Sequence, residues 1–183
     1  MIFIGVLSSL TRASILAIFL AFATFAHAEL SGSVVAILDG DTIDVLVDRH
    51  TVRVRLAQID APEKRQAFGT RSRQVLAELV FRKTVRVAED GHDRYGRVIG
   101  TIHVGDLNVN AQMVREGMAW VYRQYARDKV LYELEDQAKV RRLGLWADPD
   151  PVAPWAYRRA KREHGIAMGV HSSSPKIVGA VGH

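Results

Sequence analysis

The sequence predicts a mixed α+β fold, mainly β, in which five short strands close into a small barrel capped by three helices. Two observations lead to this prediction. Residues 33–103 contain five short runs rich in β-branched residues, with turn-forming residues at several of the boundaries. Segments with apolar residues at helical spacing interrupt and follow these runs, and the connections are short.

The first three β runs are separated by the turn sequences DG and DRH, and they cover residues 33–38, 42–47 and 51–57. In the third run, valine and leucine alternate with Arg53 and Arg55. A strand at this position buries the apolar residues and turns both arginines to the opposite face of the sheet. The pattern is typical of a curved antiparallel meander.

Helical spacing of apolar residues predicts three helices, over residues 69–83, 109–116 and 129–143. Gly117 and Gly144 directly follow the second and third helices, where glycine suits the left-handed end of a helix. Two further strands, 84–88 and 97–103, are joined by a polar loop, 89–96. Five short strands with one inserted helix favour the five-stranded OB barrel.

The first 28 residues have the three parts of a secretory signal peptide: a start with Arg12 as its one charge, an apolar core, and AHA as a small-x-small site. The alternative is an uncleaved membrane anchor, for which the uninterrupted apolar run is short. We therefore expect export to the periplasm or the medium, with no stable membrane association after cleavage. The chain has no cysteine, so no disulfide stabilises the exported fold.

We assign residues 29–147 to the globular domain and residues 148–183 to a proline-containing linker, a basic aromatic segment and a loose tail. The basic segment PWAYRRAKRE is favoured as a solvated face, and phosphate contacts outside the active site are the alternative. Its basic residues are Arg158, Arg159, Lys161 and Arg162. The net charge of +5 is compatible with a polyanionic partner and decides nothing alone.

Three carboxylates flank the third β run. Asp41 and Asp60 each lie at a strand boundary, so closure of a barrel brings them together, and paired carboxylates suit a hard cation such as Ca²⁺ or Mg²⁺. Glu63 follows Pro62, and a carboxylate just outside a metal's ligands is well placed to orient or deprotonate water. Taken singly, Asp41 is also explained as a turn residue, Asp60 as a cap and Glu63 as a solvated residue.

Arg55 and Arg97 form the second candidate pair. A guanidinium group binds two phosphate oxygens at once, and phosphoryl transfer requires the charge on those oxygens to be neutralised. The alternative for either residue alone is an ordinary surface arginine. None of the seven histidines has the spacing of a metal site.

Five sequence words carry a resemblance to a known family: DGDT (39–42), VRLAQIDAPE (54–63), DRYGR (93–97), VNAQMVREGMAW (109–120) and GLW (144–146). They occur in the same order in the thermonucleases of the staphylococcal (micrococcal) nuclease type, and they cover about residues 33–147. The resemblance implies an OB barrel and Ca²⁺-dependent hydrolysis of DNA and RNA to 3′-phosphorylated products. We expect a monomer that acts on single-stranded or locally opened nucleic acid with little sequence specificity.

The resemblance also implies roles for particular residues. Asp41 and Asp60 match calcium carboxylates, with the backbone carbonyl of Ala61 as a further ligand and Thr42 close to the ion. Glu63 matches the general base, and Arg55 and Arg97 match the phosphate-binding arginines. Three tyrosines match residues that line the nucleotide site: Tyr95, Tyr122 and Tyr125. Trp120 and Tyr122 are equally explained as core residues. The alternative function is a non-catalytic OB module that binds nucleic acid or protein.

Overall fold

The computed structural model of the protein describes the backbone of residues 29–171 and the side chains of residues 29–163. The predicted signal peptide, residues 1–28, and the tail from residue 172 lie outside the described residues and stay predictions. The boundaries assigned to the globular domain also stay predictions. Within the described part of the chain, no helix combines the length and apolar character needed to cross a bilayer.

The described part of the chain forms five long strands and three two-residue strands. The long strands are β1 (Glu29–Ile37), β2 (Thr42–Val47), β3 (His50–Leu56), β5 (Thr84–His92) and β6 (Val98–Val104). The short strands are β4 (Ile59–Asp60), β7 (Leu107–Asn108) and β8 (Trp120–Val121).

The long strands close into a barrel. Antiparallel pairs join them in the order β3-β2-β1-β5-β6, and a parallel pair between β3 and β6 completes the ring. In that closing pair Arg55 lies opposite Ile99. Strand β3, which carries Arg55, is therefore a direct neighbour of β6, which begins right after Arg97. The predicted α+β fold with a closed five-stranded OB-type barrel is confirmed.

Apolar and polar side chains alternate along the strands, so that one face of each strand packs in the barrel core. In β3, Val54 and Leu56 are fully buried, while Arg53 and Arg55 point to the other face, as the alternation predicts. The core is completed by apolar side chains from β2, β5 and β6, of which the fully buried ones include Ile43, Val45, Val85, Val87 and Ile102.

Within residues 29–171, four helices accompany the barrel: α1 (Gly69–Val80), α2 (Val109–Arg115), α3 (Lys129–Val140) and α4 (Pro154–His171). The first three are the predicted helices. α1 and α3 each end three residues before the predicted position. After α2, Gly117 has a φ of +65°, and a side chain there would collide with the Leu143 carbonyl, so both conformation and space require glycine.

The fourth helix corrects the predicted number of three. Its sequence has no clear apolar stripe and follows a run of prolines, so the pattern did not indicate a helix. However, Pro154 occupies the first helical position, where its missing N–H costs no hydrogen bond and its fixed φ suits the helix. A short 3₁₀ helix, Gly144–Ala147, precedes it.

Strand β5 is also longer than predicted. It continues to His92 through residues predicted to form a polar loop, because these residues pair with β6 across a β-bulge between Glu89 and Gly91. These residues are polar on both faces of the hairpin arm, so the sequence shows no alternation of apolar and polar residues that would predict a strand.

Three tryptophans attach the C-terminal part of the chain to the barrel. The ring centroid of Trp120 lies 4.4 Å from that of Trp146 and 5.7 Å from that of Trp155, both in edge-to-face geometry. Trp155 also stacks flat on Tyr122, with centroids 5.5 Å apart. The first turn of α4 is therefore held against β8 by aromatic packing.

Candidate active site

The predicted polar residues meet in one cleft of about 1020 Å³ at the mouth of the barrel. The cleft is lined by eight of the ten predicted site residues: Asp41, Arg55, Asp60, Glu63, Tyr95, Arg97, Tyr122 and Tyr125. Thr42 lines a neighbouring groove, and Ala61 is buried next to Asp41, to which its N–H donates.

Asp41 and Asp60 are nearly inaccessible to solvent, with residue exposures of 7% and 1%. Asp41 precedes β2 and is positioned by its own backbone, because its carbonyl accepts a 2.8 Å bond from the Leu56 N–H. Its Oδ1 accepts from Thr42 Oγ1 at 3.0 Å, and its Oδ2 accepts from the Ala61 N–H at 2.9 Å. Asp60 is held in the two-residue strand β4, which pairs with β8.

Arg55 lies between these two carboxylates. Its Nη2 is 3.0 Å from Asp60 Oδ1 and 3.5 Å from Asp41 Oδ2. Burial lowers the pKa of Arg55, but the charges of Asp41 and Asp60 outweigh burial and the net direction is upward. The pKa of Asp60 is raised, because burial and the charge of Asp41 outweigh the opposing effect of its arginine partners. The guanidinium group therefore keeps its charge and neutralises part of an otherwise costly acidic pair.

Arg97 is oriented by the hairpin turn between β5 and β6. Asp93 Oδ1 accepts from the backbone N–H of Tyr95 at 2.8 Å and of Arg97 at 3.0 Å, while Asp93 Oδ2 accepts from Arg97 Nε at 2.7 Å. Arg97 Nη1 extends to within 3.5 Å of Thr42 Oγ1. The turn thus leaves one edge of the guanidinium group facing the cleft.

Glu63 is partly exposed and is bound by a residue that the sequence did not predict for the site. Arg158, from the second turn of α4, donates from Nη1 to Glu63 Oε1 at 2.7 Å and from Nη2 to Asp60 Oδ2 at 2.7 Å. The predictions of a solvated basic face, or of contacts outside the active site, were wrong for Arg158. No local signal marked Arg158, because the sequence pattern did not indicate the helix that carries it and its partner Asp60 is 98 positions away.

The three predicted tyrosines surround the cleft in different ways. Tyr95 is 69% exposed at the hairpin tip, and the guanidinium carbon of Arg97 lies 5.8 Å from its ring centroid. Tyr122 packs edge-to-face against Tyr125 at 4.8 Å as well as flat against Trp155. Tyr122 therefore lines the cleft and also packs against α4. The two alternatives for this residue, a place at the nucleotide site and a place in the core, each describe part of its environment.

Asp39 is a second residue that sequence reasoning left without a role. Its Oδ1 accepts from the Asp41 N–H at 3.1 Å. Burial, and next the charge of Asp41, raise the pKa of Asp39 to about 6. The acidic word DGDT was the available signal, but a turn aspartate in that context is ordinary.

The donor atoms at the cleft fit a hard cation. Asp41 and Asp60 are buried carboxylates that converge on one point, and Ca²⁺ and Mg²⁺ take oxygen ligands of this kind. Among the side chains that the structure describes, no three acidic or histidine residues form a metal-binding group by themselves. The side chains at this point that could hold a cation are therefore Asp41 and Asp60.

Fold and cleft together define a class of protein. A small closed barrel with buried carboxylates, a partly exposed glutamate and two arginines at one mouth is typical of a hydrolase that acts on phosphodiesters.

Comparisons with known proteins agree. The family described as staphylococcal nuclease homologue matches residues 53–148. A micrococcal nuclease of Shigella flexneri is 52% identical over 162 residues, which cover 82% of this chain and 93% of that protein. An uncharacterized endonuclease of Escherichia coli is 50% identical over 135 residues, 73% of this chain and 88% of that protein.

The chain belongs to the staphylococcal nuclease family, and its enzyme class is that of a nuclease hydrolase. Nucleases of this family are metal-dependent in general.

Proposed function

We propose that the protein is an exported, Ca²⁺-dependent endonuclease that hydrolyses phosphodiester bonds in DNA and RNA with little sequence specificity. The observation that carries this proposal is the convergence of Asp41, Arg55, Asp60, Glu63 and Arg97, from separate parts of the chain, on one cleft. A protein that only binds nucleic acid has no need for buried carboxylates beside its phosphate-binding arginines.

In this proposal Asp41 and Asp60 hold the cation, the Ala61 carbonyl supplies a further oxygen, and Thr42 lies close by. When bound, the cation supplies positive charge to the scissile phosphate. Ca²⁺ is favoured over Mg²⁺ by the resemblance of the sequence words, whereas the oxygen donors alone suit either ion.

Glu63 orients a water molecule or accepts its proton. The water oxygen forms a bond to phosphorus and the bond from phosphorus to the 5′ oxygen breaks. The departing 5′ oxygen takes a proton from solvent, which leaves a 3′-phosphate and a 5′-hydroxyl. Arg55 and Arg97 bind the non-bridging oxygens from two sides and stabilise the charge that grows on them in the transition state. This arrangement is supported by the position of both arginines, which line the same cleft as the carboxylates.

The tyrosines at the cleft support a proposed preference for unpaired nucleic acid. Tyr95 and Tyr125 are exposed and offer aromatic faces, and Tyr122 lines the same cleft with one face against Trp155. Stacking on such faces tolerates any base. Stacking requires bases that have left a duplex, so we expect single-stranded or locally opened nucleic acid to be cleaved first. Export rests on the leader-like residues 1–28, and we expect the mature protein to be a monomer.

The test is a cleavage assay of the mature chain with single-stranded DNA, duplex DNA and RNA, in Ca²⁺ and in chelator. We expect cleavage with Ca²⁺ and 3′-phosphate ends, its loss in chelator, and a loss of about 10² to 10⁴-fold for Glu63→Gln, which removes the proton acceptor. Glu133→Gln, an exposed change on α3, is the matched control. A folded protein that binds these polymers but leaves them intact in Ca²⁺ would falsify the proposal.

A further inference from the structure

Arg158 forms a bridge that no predicted role explains. Besides its two 2.7 Å contacts, Arg158 Nη1 lies 3.2 Å from Asp60 Oδ1. The guanidinium group thus covers both oxygens of Asp60 and one of Glu63. We call this set of contacts, between Arg158, Asp60 and Glu63, the Arg158 bridge.

The bridge is held in place by the attachment of α4. Pro154 is buried, Trp155 stacks on Tyr122, and Gln66 Nε2 donates to the Val152 carbonyl at 2.6 Å just before the helix begins. These contacts lie one turn before Arg158, so the arginine side chain enters the cleft from a supported helix. The Arg158 side chain is 34% exposed, whereas that of Asp60 is 1% exposed.

The bridge occupies the ligand atoms of the proposed cation site. Asp60 Oδ1 accepts from Arg55 and Arg158, and Asp60 Oδ2 accepts from Arg158. A divalent cation on Asp60 requires at least one of these oxygens and carries charge of the same sign as the guanidinium group. At a carboxylate with so little solvent, two such cations repel each other strongly. Arg158 and the divalent cation therefore compete for Asp60.

We propose that Arg158 is a positioning residue that takes the place of the divalent cation on Asp60 and thereby sets the affinity of the site for that cation. In the metal-free protein Arg158 neutralises Asp60 and holds Glu63. When the cation takes Asp60, Arg158 gives up that carboxylate. This inference rests on the proposed assignment of Asp60 as a cation ligand.

The competition has a reciprocal consequence. If the Arg158 bridge weakens cation binding by some factor, the cation weakens the bridge by the same factor, because the two equilibria are linked. Removal of Arg158 therefore makes the protein less stable without cation and makes it bind the cation more tightly. A residue that only supports the fold lowers stability equally in both conditions.

The first measurement is cation affinity in the mature full-length chain, by calorimetric titration with Ca²⁺ and by Tb³⁺ luminescence. For Arg158→Ala we expect about tenfold tighter binding than wild type, within the range typical of coupled sites. Arg158→Gln keeps most of the side-chain length without the charge and should show the same direction. Arg159→Ala removes the adjacent exposed arginine and serves as the matched control, with unchanged affinity.

The second measurement is thermal unfolding of the same four proteins in chelator and in saturating Ca²⁺. We expect Arg158→Ala to unfold at a lower temperature than wild type in chelator, and this difference to shrink or vanish in Ca²⁺. An equal difference in both conditions would assign Arg158 to structural support alone and overturn the proposal.

The two proposals fail in different ways. A wild-type protein that binds neither Ca²⁺ nor Tb³⁺ contradicts the Ca²⁺ site itself, and this inference falls with it. A wild-type protein that binds the cation, while Arg158→Ala and Arg158→Gln bind it equally or less tightly, leaves the nuclease proposal intact and overturns only the competition at Asp60.

Discussion

Arg55 and Asp60 form the ion pair that solvent reaches least at the mouth of this barrel: Nη2 and Oδ1 are 3.0 Å apart, and their side chains are 15% and 1% exposed. Arg97 and Asp93 form the corresponding pair on the hairpin, at 2.7 Å, with 26% and 16% exposed side chains. The two arginines thus open onto one cleft but differ in their contribution to the fold.

We predict that Arg97→Ala and Arg55→Ala both reduce cleavage by about 10³ to 10⁵-fold, as expected for arginines that neutralise a transferred phosphate. Their stabilities should differ. Arg55→Ala should lose about 1.5 to 3 kcal/mol of unfolding free energy, because Asp60 loses a charged donor. Arg97→Ala should lose at most about 1 kcal/mol, as for exposed pairs. Steady-state cleavage and urea unfolding measure the two effects.

The control for these variants is Arg53→Ala. Arg53 lies on the same strand, pairs with Asp44 and is 51% exposed, so neither cleavage nor stability should change much. If Arg55→Ala and Arg97→Ala are equally destabilised, the contrast between the two pairs is wrong.

We predict a large structural effect at Glu135. Its side chain is 1% exposed, and its Oε1 accepts from the Val121 N–H at 2.9 Å while Oε2 accepts from Arg123 and Lys139. Glu135→Ala leaves that buried N–H without a partner and creates a cavity. It should reduce the unfolding free energy by about 2 to 4 kcal/mol.

Chemical unfolding checks this prediction, with Glu133→Ala as the exposed control on the same helix. Glu135→Gln keeps an acceptor for Val121 and should lose less than Glu135→Ala. An alanine variant as stable as wild type would contradict the role of Glu135 in fixing β8.

Asp93 provides a pH test. Burial raises its pKa, but the hydrogen bonds from Arg97 and from two backbone N–H groups together outweigh burial and hold the pKa below its usual range. The folded state therefore binds the proton less well than the unfolded state, so the contribution of Asp93 is present above about pH 4 and is lost as the pH falls further. Because the pair is near the surface, we expect at most about 1 kcal/mol.

The measurement is the difference in unfolding free energy between wild type and Asp93→Asn from pH 2 to pH 7. This difference should be constant near neutrality and should decrease in acid. A difference that stays constant over the whole range would show that the Asp93 carboxylate contributes no linked protonation.

The sequence was informative wherever one residue's neighbours decide its structure. Alternation in β3 placed Arg55 on the polar face, and the glycine at position 117 marked the end of α2. Closure of the barrel then followed from the number and length of the strands. These are local patterns with a fixed period, so they can be recognised without coordinates.

The features that the sequence did not predict depend on contacts between residues far apart along the chain. Arg158 and Asp60 are 98 positions apart, and nothing near either residue specifies their contact. Helix α4 forms without an apolar stripe, and Trp155 packs its start against Tyr122 and Trp120. Strands β4 and β8 have two residues each, which is too short for any periodic pattern.

The parallel contact between β3 and β6 has a consequence for folding kinetics. Arg55 and Arg97 belong to segments about forty residues apart along the chain, and they become neighbours only when these two strands meet. Such long-range pairing forms slowly, since the intervening loop must close first. During refolding, recovery of nucleic-acid cleavage should therefore lag behind the helical circular-dichroism signal. The rate at which cleavage activity returns then measures the rate of ring closure.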